Sequence, residues 1–202
     1  GWLLLGGAGY YFDTNGLSVK GSQRIDGAAY NFNNNFTLRT GELYWDWAYD
    51  GGRLRYVDPN TLDLKKGWLL LNGTGYFFDN NGLSVKGSQR IDNAAYNFND
   101  NFTLRTGELY WDWAYDGGRL RYVDPGTLNL HKGWLDMSSA RYYFTTDGVT
   151  AKGWQQIGTN YYYFDTANFF GSTGGQRIDN VAYNFNMDGS LRTGELYWDW
   201  AY

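Results

Sequence analysis

The residue types available for chemistry in this chain are aromatic rings and neutral amides, and they recur at fixed places. Tyr11, Phe77, Tyr143 and Tyr163 occupy matching positions in runs such as Tyr10-Tyr11-Phe12-Asp13. Alternation along a strand puts Tyr10 and Phe12 on one side and Tyr11 on the other. Tyr30 with Phe32, Tyr76 with Phe78 and Tyr96 with Phe98 keep rings on the first side, whereas the intervening place also takes Asn31, Asn97 or Asn184. The constant pair therefore reads as structural and the variable place as available to a ligand. A flat ring beside planar hydrogen-bonding groups, with little charge to desolvate, suits a molecule with apolar C–H faces and a rim of hydroxyls, as a sugar has.

Bond-making chemistry lacks its parts. The one histidine, His131, stands where the preceding copy has Lys65, and the chain has no cysteine and no Gly-x-Ser-x-Gly elbow. Glu42 and Asp46 recur, but glycosidase carboxylates need a cleft and unequal environments. The segment ELYWDWAYD puts Leu43, Trp45, Trp47 and Tyr49 on one face and Glu42, Tyr44, Asp46 and Ala48 on the other. Two readings stay open. Trp45 and Trp47 fill an interior, or one Trp face or Tyr44 lies in a ligand groove where Asp46 accepts hydroxyl hydrogen bonds. The copies at Tyr110, Trp111 and Trp113, and at Trp198 and Trp200, repeat the choice without deciding it. Asp-Thr-Asn-Gly and Asn-Asn-Asn segments have the composition of tight turns, and calcium-loop spacing is absent, so neither metal nor cofactor is expected.

The elements that position these residues repeat as well. Residues 1–66 return almost unchanged as 67–132, and an altered copy occupies 133–202. Each period contains three hairpin-sized units: Gly1 to Gly21, Ser22 to Gly41, and the longer Glu42 to Lys66. The interval from Gln23 to Gln89 is 66 residues and that from Gln89 to Gln176 is 87, an excess of 21 that matches one inserted unit at 154–174. A single repeat domain over 1–202 is expected, because a lone hairpin is marginal in water and must stack on its neighbours. The chain starts and stops within the pattern, so it reads as a segment of a longer, monomeric array.

Composition points to an all-β protein: 20% aromatic residues, 28 glycines and two prolines, with β-branched and aromatic residues in short runs between Gly and Asn turns. A net charge of −4 with singly scattered bases argues against nucleic acid and anionic membranes. No apolar run has the roughly 18 residues that a membrane span requires.

Gly-Trp, then Tyr-Tyr-Phe-Asp-x-x-Gly and a closing Lys-Gly, resembles the cell-wall-binding repeat superfamily. That superfamily includes choline-binding modules of bacterial lysins, glucan-binding repeats of glucansucrases and receptor-binding repeats of large clostridial toxins. GSQRIDGAAYNF and its copies GSQRIDNAAYNF and GGQRIDNVAYNF, with WQQIGTNYYYFD at Trp154 to Asp165, are similar to the glucan-binding branch. The resemblance implies a β-solenoid of stacked two-stranded hairpins, about three per turn. The 66-residue period would then be one turn, placing Gln23 above Gln89, and the inserted unit would rotate Gln176 out of that row. It also implies pockets that pair an aromatic of one unit with a glutamine of the next. By motif these are Gln23, Gln89, Gln176 and Gln156 or Gln155, with Tyr11, Phe77, Tyr143 and Tyr163 as platforms and Lys20, Lys86 and Lys152 within reach of a hydroxyl. Tyr44, Trp45, Tyr110 and Trp111 complete the candidate carbohydrate-binding set.

The implied function is a noncatalytic module of an extracellular bacterial protein that holds an α-glucan through weak sites in series. The rival within the superfamily is a choline or cell-wall anchor, whose cage of three aromatics draws on a Trp just ahead of the tyrosine pair. Gly9, Gly75 and Arg141 stand at that place here. Toxin-type receptor binding is the other alternative.

Overall fold

A computed structural model describes residues 1–47, 52–113, 118–138 and 140–197. Among them the chain forms strands alone, and they pair as antiparallel hairpins. These are β1 (Trp2–Leu5) with β2 (Ala8–Tyr11), β3 (Gly21–Ile25) with β4 (Ala28–Phe32), β5 (Leu43–Asp46) with β6 (Arg53–Tyr56), β7 (Gly67–Leu71) with β8 (Thr74–Phe78), and β9 (Gly87–Ile91) with β10 (Ala94–Phe98). The series continues with β11 (Leu109–Asp112) and β12 (Arg119–Tyr122), β13 (Gly133–Met137) and β14 (Ala140–Phe144), β15 (Gly153–Ile157) and β16 (Asn160–Phe164), and β17 (Gly174–Ile178) and β18 (Val181–Phe185). The chain gathers into two compact units, Gly1–Gln89 with Tyr96–Arg105, and Arg90–Ala95 with Thr106–Tyr202. The repeats at Tyr49, Trp198 and Trp200 lie outside the described residues.

Turn chemistry fixes five of the hairpins. Gly6-Gly7, Asp26-Gly27, Asn72-Gly73, Asp92-Asn93 and Asp179-Asn180 all have positive φ at both residues. That is the type I′ geometry, which matches the twist of the strands it joins and selects Gly, Asn and Asp. After the second strand a loop brings the chain back to form one more bridge, as in Phe12 to Ser18, Phe78 to Ser84 and Phe164 to Gly171. The leading aspartate of that loop serves the loop itself: Asp13 Oδ1 accepts the N–H groups of Asn15 and Leu17, both at 2.9 Å, and Asp79 Oδ1 does the same for Asn81 and Leu83.

Hairpins are stitched to their neighbours through the backbone. In the first unit the returning segment donates from Leu38 N–H to the Gly9 carbonyl at 2.8 Å and from Ser84 N–H to the Leu54 carbonyl at 2.9 Å. In the second unit Thr150 donates to Leu120, Gly171 to Arg141 and Leu191 to Tyr161. Each hairpin thereby satisfies an edge that would otherwise face water. Ile25, Phe32, Leu38, Tyr44 and Val57 form a core cluster in the first unit, and Ala151, Tyr162 and Phe164 one in the second.

The ELYWDWA strands orient opposite to the interior reading of their indoles. Trp45 and Trp47 are 60% and 58% exposed, whereas Tyr44 and Asp46 are buried. The cause is an ion pair. Asp46 accepts from Arg55 Nε across the hairpin, and Arg55 Nη1 donates onward to the Asn81 carbonyl of the next hairpin's loop. Asp112, Arg121 and the Asp147 carbonyl repeat the arrangement. Both charges are almost fully desolvated, so removing one partner strands the other. Arg55→Ala is expected to lower unfolding stability in urea by about 3 to 5 kcal/mol.

The loop aspartates set a pH limit. Backbone N–H groups hold the Asp58 and Asp124 carboxyls below the usual range, and the Ser190 hydroxyl with its N–H does the same for Asp188. A folded value below the unfolded one stabilises the fold above the unfolded value, near about 3.9, and that contribution vanishes as pH falls through the lower folded value. Thermal midpoints should therefore hold steady down to about pH 5 and drop below about pH 4.

Candidate functional site

The Gly-Trp hairpins build a ring cluster by register alone. Pairing of β1 with β2 sets Trp2 opposite Tyr11 and Leu4 opposite Gly9, all on one face. The Trp2 indole meets Tyr11 edge-on at 5.1 Å, and it meets the next hairpin's Tyr30 edge-on at 5.0 Å. It lies over Phe32 at 6.0 Å and 31°. Trp68 repeats this with Phe77, Tyr96 and Phe98, Trp134 with Tyr143, Tyr162 and Phe164, and Trp154 with Tyr163, Tyr183 and Phe185. Edge-to-face pairs of this kind add about 0.5 to 1.5 kcal/mol beyond the area they bury. Although fixed on these sides, Trp2 still exposes 45% of its surface.

Beside the open part of Trp2 is a cleft of about 260 Å³ bounded by Gly9, Tyr30, Leu62 and the polar pair Thr61 and Asp63. It combines an indole, a phenol, the three leucine side chains of Leu3, Leu4 and Leu62, a hydroxyl and a carboxylate. Burial raises the Tyr30 phenol above its ordinary value, so it stays a protonated donor across neutral pH. A second cleft of about 350 Å³, between Asp26, Tyr30, Lys66 and Asn80, has Tyr30 as its one aromatic ring. Stacking chemistry therefore belongs to the first.

The hairpin of β15 and β16 presents the most complete polar version of the same face. Trp154 opposes Tyr163 and Gln156 opposes Tyr161. Gln156 is exposed, and its amide makes no hydrogen bond among the described residues. Gln155, one residue earlier, faces the other way and donates to the Lys152 carbonyl at 3.0 Å. Gln23, Gln89 and Gln176 share the position of Gln155 and donate to the carbonyls of Lys20, Lys86 and Thr173 at 2.8, 2.7 and 2.9 Å. Those amide nitrogens brace the chain's return into each hairpin. Lys20 and Lys86 are exposed and Lys152 is half-buried. Lys86 Nζ lies 5.9 Å from the centre of the Phe102 ring.

Tyr11, Phe77, Tyr143 and Tyr163 are half-buried flanks of the indole rather than free platforms. Tyr44 and Tyr110 need correction as groove residues. Both are buried, and their hydroxyls donate to the Ala29 and Ala95 carbonyls at 3.0 and 2.9 Å. Asp46 is likewise spent on Arg55. Trp45 and Trp111 remain open to solvent, resting on Phe102 and Phe169 with ring centres 5.9 and 6.1 Å away. Sequence reasoning passed over Trp2, Trp68, Trp134 and Trp154 as the centres of the ring clusters. The signal lay in the Gly-Gly and Asn-Gly turns, which fix which residues stand opposite one another.

The class defined by this fold and these faces is a repeat-built, all-β binding module. The family model for a cell wall binding repeat matches residues 152–167, within the hairpin that carries Trp154 and Gln156. Glucosyltransferase-S of Streptococcus downei is 29% identical over 155 residues, which is 75% of this chain and 11% of that enzyme. Glucosyltransferase-S of Streptococcus mutans is 26% identical over 193 residues, 94% of this chain and again 11% of the enzyme. The chain thus spans a small part of the relatives it matches. Among solved structures, the choline-binding domain of CbpL from Streptococcus pneumoniae aligns with a TM-score of 0.61 at 21% identity, covering 97% of this chain and 98% of that one. Choline binding protein F of the same species aligns with a TM-score of 0.52 at 22% identity, covering 92% and 70%. These two likenesses establish the fold. The resemblance to cell-wall-binding and glucan-binding repeats read from the motifs is upheld.

Tyr44→Phe is expected to cost about 1 kcal/mol of stability through loss of its hydrogen bond to Ala29, with ligand retention unaltered. Retention that fell with Tyr44→Phe in a folded protein would return Tyr44 to the site.

Proposed function

We propose that this chain is a noncatalytic carbohydrate-binding module that recognises an α-glucan and tethers a larger, secreted bacterial protein to that polysaccharide. The observation that carries the reading is the set of tryptophans held edge-on by neighbouring rings and partly open to solvent, with Thr61 and Asp63 beside Trp2 and Gln156 on the face of Trp154. A pyranose offers an apolar face to such an indole and hydroxyls to the rim. The similarity to streptococcal glucosyltransferases supports a glucan as the polymer and the cell exterior as the place.

The stitching of each returning segment to the hairpin before it supports a β-solenoid of about three hairpins per turn as the finer architecture, with 1–202 as one repeat domain of three periods. Trp2, Trp68, Trp134 and Trp154, with Gln156, Trp45 and Trp111, are the side chains we assign to the ligand. The amides of Gln23, Gln89 and Gln176 act beneath them, and their free carbonyl oxygens complete the polar rim together with Lys20, Lys86 and Lys152. Individually weak sites of this kind gain from repetition, since a bound polymer presents the next ring at high effective concentration.

A second reading, binding of choline or another quaternary ammonium, is favoured by one observation: the Arg141 guanidinium lies over the Trp134 ring, so these indoles do accept a cation. Against it, Trp2 already meets both Tyr11 and Tyr30 edge-on at about 5 Å, so these rings pack on the indole rather than standing apart around a cation.

Migration in native gels separates the two. Dextran or a related α-glucan in the gel should retard the protein, isomaltooligosaccharides should relieve the retardation, and choline should leave it unchanged. Relief by choline with no effect of any α-glucan would replace the glucan reading with the cell-wall one. Trp154→Ala and Trp2→Ala should each weaken retardation modestly and together disproportionately, as avidity requires; strictly additive effects would contradict shared contact with one polymer.

A further inference from the structure

The four Gly-Trp hairpins differ at one cross-strand pair beside the indole. Register places Leu4 opposite Gly9, Leu70 opposite Gly75, Asp136 opposite Arg141 and Gln156 opposite Tyr161. In β1–β2 the glycine puts no side chain over the Trp2 ring, and it lines the cleft beside that ring. In β13–β14 the same position carries the longest cationic side chain, and it does not point away. Arg141 Cζ lies 4.3 Å from the centre of the Trp134 ring, in stacking contact. Its Nη1 donates to the Asp188 carbonyl at 2.9 Å, and its Nε lies 3.2 Å from Asp136 Oδ1.

The facing loop has changed to match. In the first unit the loop after β6 brings Leu62 against Gly9, so that a Cβ on Gly9 would lie 3.0 Å from Leu62 Cδ1. The corresponding loop after β18 has Gly189 at the same left-handed turn position, with φ of 83° where Leu62 has 61°. Leu62 occupies the space beside Gly9 and with it walls a cleft that stays open next to Trp2, whereas Arg141, facing a loop that has Gly189 in place of that leucine, lays its guanidinium on the Trp134 ring itself. Asp188, which receives that guanidinium, belongs to the loop that in the first unit supplies Thr61 and Asp63 to the cleft wall.

We propose that Arg141 closes the third Gly-Trp cleft to saccharide. Trp134 is thereby a structural member of the cluster while Trp2, Trp68 and Trp154 are the open platforms. The inference rests on the reading of these indoles as saccharide platforms and sharpens it: the array is graded along its length, and one residue sets which site is silent. The side chain does this without a covalent bond, by holding the indole face in a cation–π contact and using the loop carbonyl as a latch.

Indole N–H resonances of the intact chain, assigned with single Trp→Phe variants, read the proposal directly during titration with isomaltotriose. In the wild type the Trp2 signal should shift at concentrations where Trp134 does not move. In Arg141→Gly the Trp134 signal should begin to shift, with a midpoint at least tenfold below any residual response in the wild type. A Trp134 that titrates alongside Trp2 in the wild type overturns the proposal, as does a Trp134 that stays silent in a folded Arg141→Gly protein. Weaker binding at Trp134 after the substitution overturns it too, since that would make Arg141 a ligand for the glycan. If Arg141→Gly does not fold, the wild-type comparison of Trp2 with Trp134 decides alone. Silence of every indole in the wild type sinks the platform reading and this inference together, an outcome distinct from silence at Trp134 alone.

Discussion

Everything in this molecule follows from the inability of a two-stranded hairpin to bury its own aromatic face. Trp2 has one partner within its hairpin, Tyr11, and takes Tyr30 and Phe32 from the next. An indole is large enough to span that gap, and hydrophobic burial per ring is what stabilises a hairpin too small to stand alone. The same contact sets the proposed site. An indole gripped at its edges by two tyrosines and backed by a phenylalanine cannot turn, and it holds its remaining surface toward solvent at little further loss of conformational entropy.

Two devices supplement the rings. Where a hairpin has no tryptophan, Ser22 stands opposite Asn31 and donates to its side-chain oxygen at 2.7 Å, and Ser88 does the same with Asn97 at 2.6 Å. A hydrogen-bonded pair thus occupies the register place that Trp2 and Tyr11 fill elsewhere. Where the hairpin is the longer variant, the buried Asp46–Arg55 pair locks the strand and reaches the following loop. Aromatic, amide and ionic versions of one cross-strand contact therefore alternate along the chain, and the aromatic ones, together with Trp45 and Trp111, leave ring surface open to solvent.

Much of this was legible in the residues. The doublets Tyr10 and Phe12, followed by Asn15-Gly16, and Tyr30 and Phe32, followed by the Asn33 to Asn35 run, announce hairpins, and the interval between Gln89 and Gln176 announces an extra one. Which side of a strand faces inward was less legible. In ELYWDWA both alternating sets contain apolar and polar members, and hydrophobicity favours burying the tryptophans. The deciding partner, Arg55, lies nine residues past Asp46, across a turn whose length the pattern does not fix. Gln155 and Gln156 show the same limit, since one residue of register separates a backbone brace from an exposed amide. Arg141 was visible as a departure from glycine, but its contact with Trp134 depends on Gly189 in a loop about fifty residues away.

The central claim is that the indole surfaces left open by hairpin stacking are where the polymer sits. Diffraction from crystals grown with an isomaltooligosaccharide tests it most directly. The account predicts a pyranose ring lying flat against Trp2 with carbon atoms within about 4 Å of the indole and hydroxyls on Thr61 or Asp63. A bound saccharide that contacts other surfaces and leaves Trp2, Trp68 and Trp154 bare would contradict it.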